Sequence, residues 1–394
     1  MLKVEATERR ARLARRHRVA PDHRAADVVD ATRSMICLHG TDPSTIYLSA
    51  WARVEGMTVS DLERALYVER SLVKHLAMRR TLFVFPRETV GAAQAGASSR
   101  VAGAERRRLV RDVEAAGLHE DGERWLSGAS EGVLAALSDG REATSSELRA
   151  DVPSLAGSIH QGEGKSWGGP VAVGPRVLTT LSAAGRIVRA SNDGGWTTSR
   201  PRWASTESWL GEAPAPRSHA EGVALMVEQW LRVFGPGTAA DIKWWLGSTV
   251  TAVRGALAEL RAVEVDLDGQ VGYLLPDDLE PTDPVEPWAA LLPSLDPSSM
   301  GWLARDWYLG PHKPQVFDRN GNAGPTAWWD GRIVGGWRQS DAGEVVVQIL
   351  EDVGAEGVSA LEHEAARLSR WLGGTRVLPR FPSPLSKASV DGRA

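Results

Sequence analysis

The sequence predicts an α+β protein built from repeated units of three helices followed by a two-stranded hairpin. This order recurs about three times before residue 280, and a proline-rich stretch at 281–287 separates these units from a mixed α/β region. Three helices and a hairpin are the layout of a winged helix, a helix-turn-helix variant. We expect winged-helix units at 1–120, 121–215 and 216–280, an α/β region at 281–381 and a disordered tail at 382–394.

Hydrophobic periodicity, capping residues and turn residues place the elements of each unit. The first unit is expected to contain helices over 4–18, 26–38, 48–54 and 60–76 and a strand over 81–85. The second is expected to contain helices over 133–137, from 144 and over 176–184, and strands over 186–189 and 201–203. The third is expected to contain helices over 223–233, 239–246 and 250–260, and strands over 263–267 and 271–275.

The C-terminal region shows the pattern of a mixed α/β structure. An Asp330-Gly331 pair between apolar runs is a typical hairpin turn. A strand over 345–350, a helix over 360–372 and a short strand near Val377 are expected to follow.

Charge is distributed unevenly along the 394 residues. Residues 1–120 carry 21 Lys and Arg against 15 Asp and Glu, whereas the whole chain has a net charge of −4. A basic first part in an acidic chain suggests a polyanionic partner such as nucleic acid, although solvated arginines on a helix would give the same count.

Several classes of protein are disfavoured by the composition. A single cysteine, Cys37, allows no internal disulfide and no thiolate metal cluster, and the nine histidines show no zinc-binding spacing. No apolar run approaches the roughly 18 residues of a membrane span, and the first residues do not resemble a secretory signal. We therefore expect no metal, no membrane contact and a cytoplasmic location.

Four ordered segments over residues 8–375 resemble the AlkZ-like (YcaQ-like) winged-helix DNA glycosylases of bacteria. The first two, Met78-Arg79-Arg80-Thr81-Leu82 and Phe234–Asp241 with Trp244-Trp245, are similar to the family's MRGTLH and YGPATxxDxxWW segments. The other two are Leu291–Asp296 with Arg305, and Pro325 with Asp330–Arg332 and Gly335–Trp337.

The resemblance implies a fold and a reaction. Family members place tandem winged helices in a C shape around a DNA channel and excise alkylated or bulky-adducted bases, including some interstrand crosslinks. It implies a monofunctional hydrolase without a cofactor or a covalent intermediate, acting on damaged double-stranded DNA, and we expect a monomer. It also implies a bacterial, nucleoid-associated protein. The lesion, and the choice between general repair and self-protection from a genotoxin, stay open.

The catalytic motif departs from the family. The family's Gln-x-Gln or Gln-x-Asp tripeptide aligns with His39-Gly40-Thr41, followed by Asp42, so neither glutamine is present. We expect His39 to accept a proton from the attacking water, Thr41 to orient that water, and Asp42 to orient the imidazole or offset developing charge. Alternatively, His39 caps one helix, Thr41 and Asp42 cap the next, and the protein is a catalytically silent DNA-binding or regulatory protein.

The expected DNA-binding residues are mainly cations. Arg79, Arg80, Arg12 and Arg16 are candidates for phosphate contacts, since phosphate contacts dominate affinity for DNA. Lys165 and Trp167 in the loop at 160–169 could reach the DNA or the lesion, and Arg305 could line the channel. The alternatives are solvated surface arginines, an ordinary wing loop and packing of the C-terminal region.

Overall fold

The structure is a computed structural model that describes residues 1–161, 168–212 and 215–387. Its N-terminal part consists of β1 (Leu2–Lys3), α1 (Ala6–Arg16), α2 (Val28–Arg33), β2 (Leu38–His39), α3 (Pro43–Trp51), α4 (Val59–Glu63), β3 (Leu72–Ala77), β4 (Thr81–Pro86), α5 (Val90–Ala93) and α6 (Ser99–Ala115). The strands β2, β4 and β3 form one antiparallel sheet in that order.

Two expectations for this part were wrong. Residues 72–76, expected to be helical, form β3, because pairing with β4 over the full strand overrides a weak local helical preference. The helix expected over 26–38 ends at Arg33. His39 therefore does not follow a helix; it lies in β2, opposite Phe83 of β4.

The middle of the chain contains two helical groups, each followed by a hairpin. The first comprises α7 (Gly122–Ala136), α8 (Ser145–Asp151), β5 (Ser158–Gln161), β6 (Gly169–Ala172), α9 (Gly174–Ala183), β7 (Ile187–Asn192), β8 (Pro201–Ser205) and α10 (Thr206–Leu210). The second comprises α11 (His219–Phe234), α12 (Ala239–Leu246), α13 (Val250–Glu259), β9 (Val263–Leu267) and β10 (Gln270–Leu274). The β5–β6 pair was not expected.

The elements expected for 216–280 are confirmed to within a few residues. Local chemistry explains why, since Thr238 and Asp241 form a reciprocal capping box at the start of α12. Asp268 and Gly269, both at positive φ, make the β9–β10 turn. The structure adds one strand, because β1 pairs in parallel with β9 and attaches the N-terminus to this group.

The C-terminal part places a four-stranded antiparallel sheet against a long helix. Its elements are β11 (Ala289–Leu292), α14 (Pro297–Met300), α15 (Asp306–Leu309), α16 (Lys313–Val316), β12 (Thr326–Trp329), β13 (Arg332–Gln339), β14 (Val345–Ile349), α17 (Gly354–Leu372) and α18 (Pro384–Lys387). Val377 lies outside any strand. In the tail expected at 382–394, residues 384–387 form α18, whose Leu385 is buried against β13. Residues 388–394 lie outside the described residues.

Most of the buried apolar residues form one core. A single hydrophobic cluster extends from Leu13 to Leu385 and takes residues from every expected unit. A second cluster, from Leu109 to Trp203, joins α6 to the helices α7–α9. The units are therefore packed into a common body, with a partly separate core for the segment around 121–205.

A buried ion pair connects the N-terminal helices to the C-terminal part. Arg53 follows α3 and Asp296 caps α14, both are fully buried, and their Nη–Oδ distances are 2.8 Å. Ser49 Oγ and the Ser298 backbone N–H donate to the same carboxylate, at 2.7 and 2.9 Å. The network extends to His17 in contact with Ser298 at 2.8 Å. Both oxygens of the Asp296 carboxylate therefore have hydrogen-bond donors although they are buried away from water.

We expect Arg53→Met to reduce the free energy of unfolding by about 3–5 kcal/mol, because it leaves Asp296 charged and unpaired in the core. Urea denaturation followed by circular dichroism would measure the change. The matched control is Arg64→Met, which removes an exposed ion pair with Asp61 and is expected to cost no more than about 1 kcal/mol. Equal effects of the two variants would contradict a central role for the buried pair.

Stability is expected to fall as the pH is lowered from about 6.5 towards 4. Burial lowers the pKa of His17 and His39 to about 3 and that of His75 to about 4. Below about 6.5 the unfolded chain binds protons at these three side chains and the folded chain does not, so each contributes a slope of about 1.4 kcal/mol per pH unit. Urea titrations between pH 7.5 and 5 would measure the change in stability, and His75→Gln should remove about a third of it. A flat profile would contradict neutral histidines in the core.

Candidate active site

A cleft of about 420 Å³ lies between the β2–β4 sheet, α12 and the segment that follows β11. Its lining residues are Cys37, His39, Arg79, Thr81, Phe83, Trp244, Trp245, Leu295, Pro297, Met300, Leu303, Arg305, Lys313, Asn320, Gly321 and Asn322. Among these described residues are three cations and no carboxylate. The walls therefore favour an anionic ligand.

Two arginines enclose one tryptophan in this cleft. The guanidinium carbons of Arg79 and Arg305 lie 4.4 and 4.8 Å from the ring centroid of Trp244, which is within cation–π range. Burial, together with the charge of Arg305, lowers the pKa of Arg79. Arg305 is only 7% exposed, and its Nε has no hydrogen-bond partner among the described residues. Two like charges this close, one of them incompletely bonded, are typical of an anion-binding site.

The backbone presents Arg79 at the cleft through a tight turn between β3 and β4. Arg79 and Arg80 both have positive φ, 53° and 61°, a conformation that costs about 1 kcal/mol or more for a non-glycine residue. Arg79 turns into the cleft, whereas Arg80 forms an ion pair with Glu105 at 3.1 Å and does not line it. Of the two expected phosphate contacts in this turn, the cleft contains Arg79.

His39 lies in the cleft as a neutral imidazole. Burial, with the charge of Arg79, lowers its pKa to about 3. The ring packs edge-on against Phe83, and its Nδ1 accepts the backbone N–H of Thr41 at 3.4 Å. In that tautomer Nε2 carries the proton, and no described residue bonds to it. His39 is therefore a weak base at neutral pH and a hydrogen-bonding group available to a ligand.

The structure does not place Thr41 and Asp42 in the cleft with His39. Thr41 contacts the imidazole through its backbone N–H, and its carbonyl accepts from Arg380 at 3.4 Å. Asp42 is 4% exposed, caps α3 through Ser44 and accepts the Arg380 backbone N–H at 2.9 Å. The catalytic role expected for Asp42 is corrected, because its carboxylate is occupied by helix capping and by the C-terminal segment.

Two expected phosphate-binding arginines are internal. Arg12 is 1% exposed and bonds to Glu8, Asp278 and the Glu280 carbonyl. Arg16 bonds to Asp278 at 2.6 Å and to the Gly235 carbonyl at 3.0 Å. The prediction of phosphate contacts is wrong for Arg12 and unsupported for Arg16, because α1 directs these charges into the junction with the third unit. Lys165 and Trp167 lie outside the described residues.

One lysine near the motif has an unusual environment. Lys74 in β3 donates to the Tyr67 hydroxyl at 2.6 Å, and burial, with the charge of Arg189, lowers its pKa to about 8. It lines a cavity of about 20 Å³ behind Gly40, which has room for a water molecule but not for a sugar. The amine thus belongs to the same sheet as the motif, but its cavity is too small to admit a large substrate.

Sequence reasoning missed several residues of the cleft. Trp244 appeared only as part of a family segment, and Met300, Lys313 and Asn322 were not singled out. Trp244 could have been singled out from the family segment that contains it, since the two arginines that lie over its ring also belong to segments of the resemblance. The others come from a segment whose position depends on the tertiary contacts of α14 and α16.

Within the described residues, no group of three or more His, Cys, Asp or Glu is arranged to hold a metal ion. No helix in the same part of the chain combines the length and apolar character required to cross a bilayer.

Comparison with known proteins identifies the family. No curated protein matches the chain. Among solved structures, the fold is similar to Streptomyces sahachiroi DNA glycosylase AlkZ, with a TM-score of 0.75 and 22% identity over 96% of this chain and 100% of that one. The family described as DNA glycosylase AlkZ-like matches residues 32–371, which is most of the chain. Together with the cleft beside the aligned motif, this establishes that the chain belongs to the AlkZ-like DNA glycosylase family.

Proposed function

We propose that this protein hydrolyses the N-glycosidic bond of alkylated or bulky-adducted purines in duplex DNA, with His39 in the place of a family glutamine. The observation that carries the proposal is a neutral His39 in a cleft with three cations and no described carboxylate. Such a cleft is suited to DNA phosphates around an extruded nucleotide, and the imidazole supplies a polar group on the wall of the cleft. Crosslinked purines are included in this substrate class.

The chemistry asks little of the protein in this substrate class. A purine alkylated at N7 is already cationic and leaves as a neutral base without prior protonation, so the remaining task is to hold water at C1′ while an oxocarbenium-like centre forms. The proton that the water loses when its oxygen bonds to C1′ passes to solvent. DNA phosphates held by Arg79 and Arg305 would offset the charge that develops on the sugar. Because the DNA phosphates supply this negative charge, the cleft needs no carboxylate of its own.

His39 is proposed to hold the water by hydrogen bonding and not by taking its proton. With a pKa of about 3, the imidazole is a poor general base, but it resembles an amide in staying neutral and offering directed polar atoms. The family's glutamine is an amide that cannot titrate. Burial thus makes the substituted residue similar in charge to the one it replaces, and Thr41 assists through its backbone N–H.

The surrounding architecture is proposed to clamp the duplex. The units at 1–120, 121–215 and 216–280 would act as tandem winged helices in a C shape around the DNA, with the 281–381 region closing the cleft. Three unequal units in one chain suit a monomer, because palindromic recognition by a symmetric dimer is not required. Its site of action would be bacterial DNA in the cytoplasm.

A second candidate function is a catalytically silent DNA-binding or regulatory protein. The absence of both family glutamines from His39-Gly40-Thr41 favours it. The two functions differ in whether the glycosidic bond breaks, and base release separates them directly.

We expect wild-type protein to release N7-alkylguanine from a duplex carrying one such lesion, and His39→Ala to slow release by about 100-fold or more. His39→Gln, which supplies an amide, should stay within about tenfold of wild type. Thr41→Ala should change the rate little, since its backbone N–H remains. Single-turnover strand cleavage at the abasic site would measure the rates, with His363→Ala on the exposed side of α17 as the control.

The pH dependence adds an independent readout. Because the pKa of His39 is about 3, the rate should show no inflection near 6.5 between pH 5.5 and 8. An inflection that disappears in His39→Gln would contradict water positioning by a neutral imidazole. Absence of base release by wild type, with DNA binding retained, would support the silent binder.

We expect the enzyme to be monofunctional, leaving an intact abasic site. Lys74, the described lysine nearest the motif in the sequence, lies in a small cavity that excludes a deoxyribose. Lys313 lines the cleft with His39, so it is the lysine that a bound sugar could reach. Because a cationic purine leaves without covalent catalysis, sodium borohydride added during turnover should trap no covalent protein–DNA adduct, with a bifunctional glycosylase as the positive control. Trapping that is lost in Lys313→Arg or Lys74→Arg would show that the lysine attacks C1′.

A further inference from the structure

We propose that one face of α6 binds the phosphate backbone of duplex DNA next to the cleft, which rests on the proposed function in taking DNA as the substrate. Arg100, Arg107 and Arg111 occupy positions i, i+7 and i+11 of this helix. At about 100° per residue these positions fall within about 40° of one another, so the three side chains form one row, here named the α6 stripe. All three residues are exposed.

The stripe has no internal counter-charge among the described residues. None of its three arginines forms an ion pair with a described carboxylate, whereas Arg106 and Arg108 on the same helix pair with Glu123 and Asp112. An unpaired row of cations in a chain of net charge −4 is a local feature and not a reflection of overall charge.

The acidic side chains of α6 are committed elsewhere. Glu105 pairs with Arg80 at 3.1 Å, and Asp112 pairs with Arg176 at 2.8 Å. Glu114 accepts the Gly122 backbone N–H at 3.0 Å. Two of these three carboxylates are thus already paired with other arginines, and the third is bonded to a backbone N–H.

The opposite side of α6 holds the stripe in place. Leu109, Val110 and Val113 are buried in the second hydrophobic cluster, where α6 packs against α7 and α9. The helix is therefore fixed before any ligand arrives, and little ordering is needed on binding.

The stripe continues the positive charge of the cleft. A Cβ placed on Gly247 would lie 3.0 Å from Cγ of Arg79 and 3.7 Å from Nη2 of Arg100, so these two side chains converge on the same point. Arg79 lies over Trp244 inside the cleft, and Arg100 begins the stripe outside it. A single strand of phosphates can thus pass from the cleft onto α6.

The length of the stripe fits a duplex. Eleven residues of helix span about 16 Å, a distance over which B-DNA presents about five phosphates per strand. A free phosphate or a small anion would not require three cations in a row. The occupant is therefore the duplex flanking the lesion.

The test compares two pairs of substitutions on one helix. Arg107→Gln with Arg111→Gln removes two stripe charges, and Arg106→Gln with Arg108→Gln removes two paired charges, with the same change in net charge and a good helix former in each case. Fluorescence anisotropy would measure binding of an undamaged 30-base-pair duplex between 50 and 200 mM salt.

The stripe pair is expected to reduce the slope of log K against log salt by about 1 per arginine, and the control pair to leave it unchanged. Equal effects of the two pairs, no effect of either, or a larger effect on duplex RNA than on DNA would each overturn the inference. Base release at saturating DNA is scored separately. A stripe effect without base release by wild type would refute the proposed function alone, and base release with no stripe effect would refute the inference alone.

Discussion

The cleft depends on the buried pair between Arg53 and Asp296. Arg53 follows α3, which begins just after the motif at 39–41. Asp296 caps α14, and its two neighbours in the chain, Leu295 and Pro297, line the opposite wall of the cleft. Charges removed from water are tolerated only when their hydrogen bonds are met, and Ser49 and Ser298 complete those of Asp296. The pair therefore fixes the distance between these two parts of the chain, and this distance sets the width of the cleft.

The same exclusion of water determines the character of the motif. His39 stays neutral because it is half-buried beside the charge of Arg79, so a titratable residue behaves as a fixed dipole at physiological pH. Asp42, one position beyond the aligned tripeptide, is used for helix capping and for attaching the C-terminal segment through Arg380. The altered motif thus keeps a neutral polar side chain at position 39, as a glutamine would.

Basic residues near the N-terminus divide into internal and external sets. The arginines of α1 serve the packing of the chain, as Arg12 and Arg16 bind Asp278 and Arg10 donates to the Trp307 carbonyl. The row on α6 remains without described carboxylates. An excess of positive charge counted along the sequence therefore does not distinguish arginines that are used in packing from arginines that are exposed and unpaired.

The sequence by itself determined what depends on neighbouring residues. The capping box of Thr238 and Asp241 and the Asp268-Gly269 turn act over a few positions, so the third unit could be predicted closely. Tertiary structure decided the rest: β3 needed β4 as a partner, and the burial of Arg12 and Asp42 depended on segments more than 250 residues away. The sequence likewise located the motif, but only packing against Arg79 and Phe83 made His39 neutral. Short-range hydrogen bonds can be read from spacing, whereas burial and charge environment are properties of the folded chain.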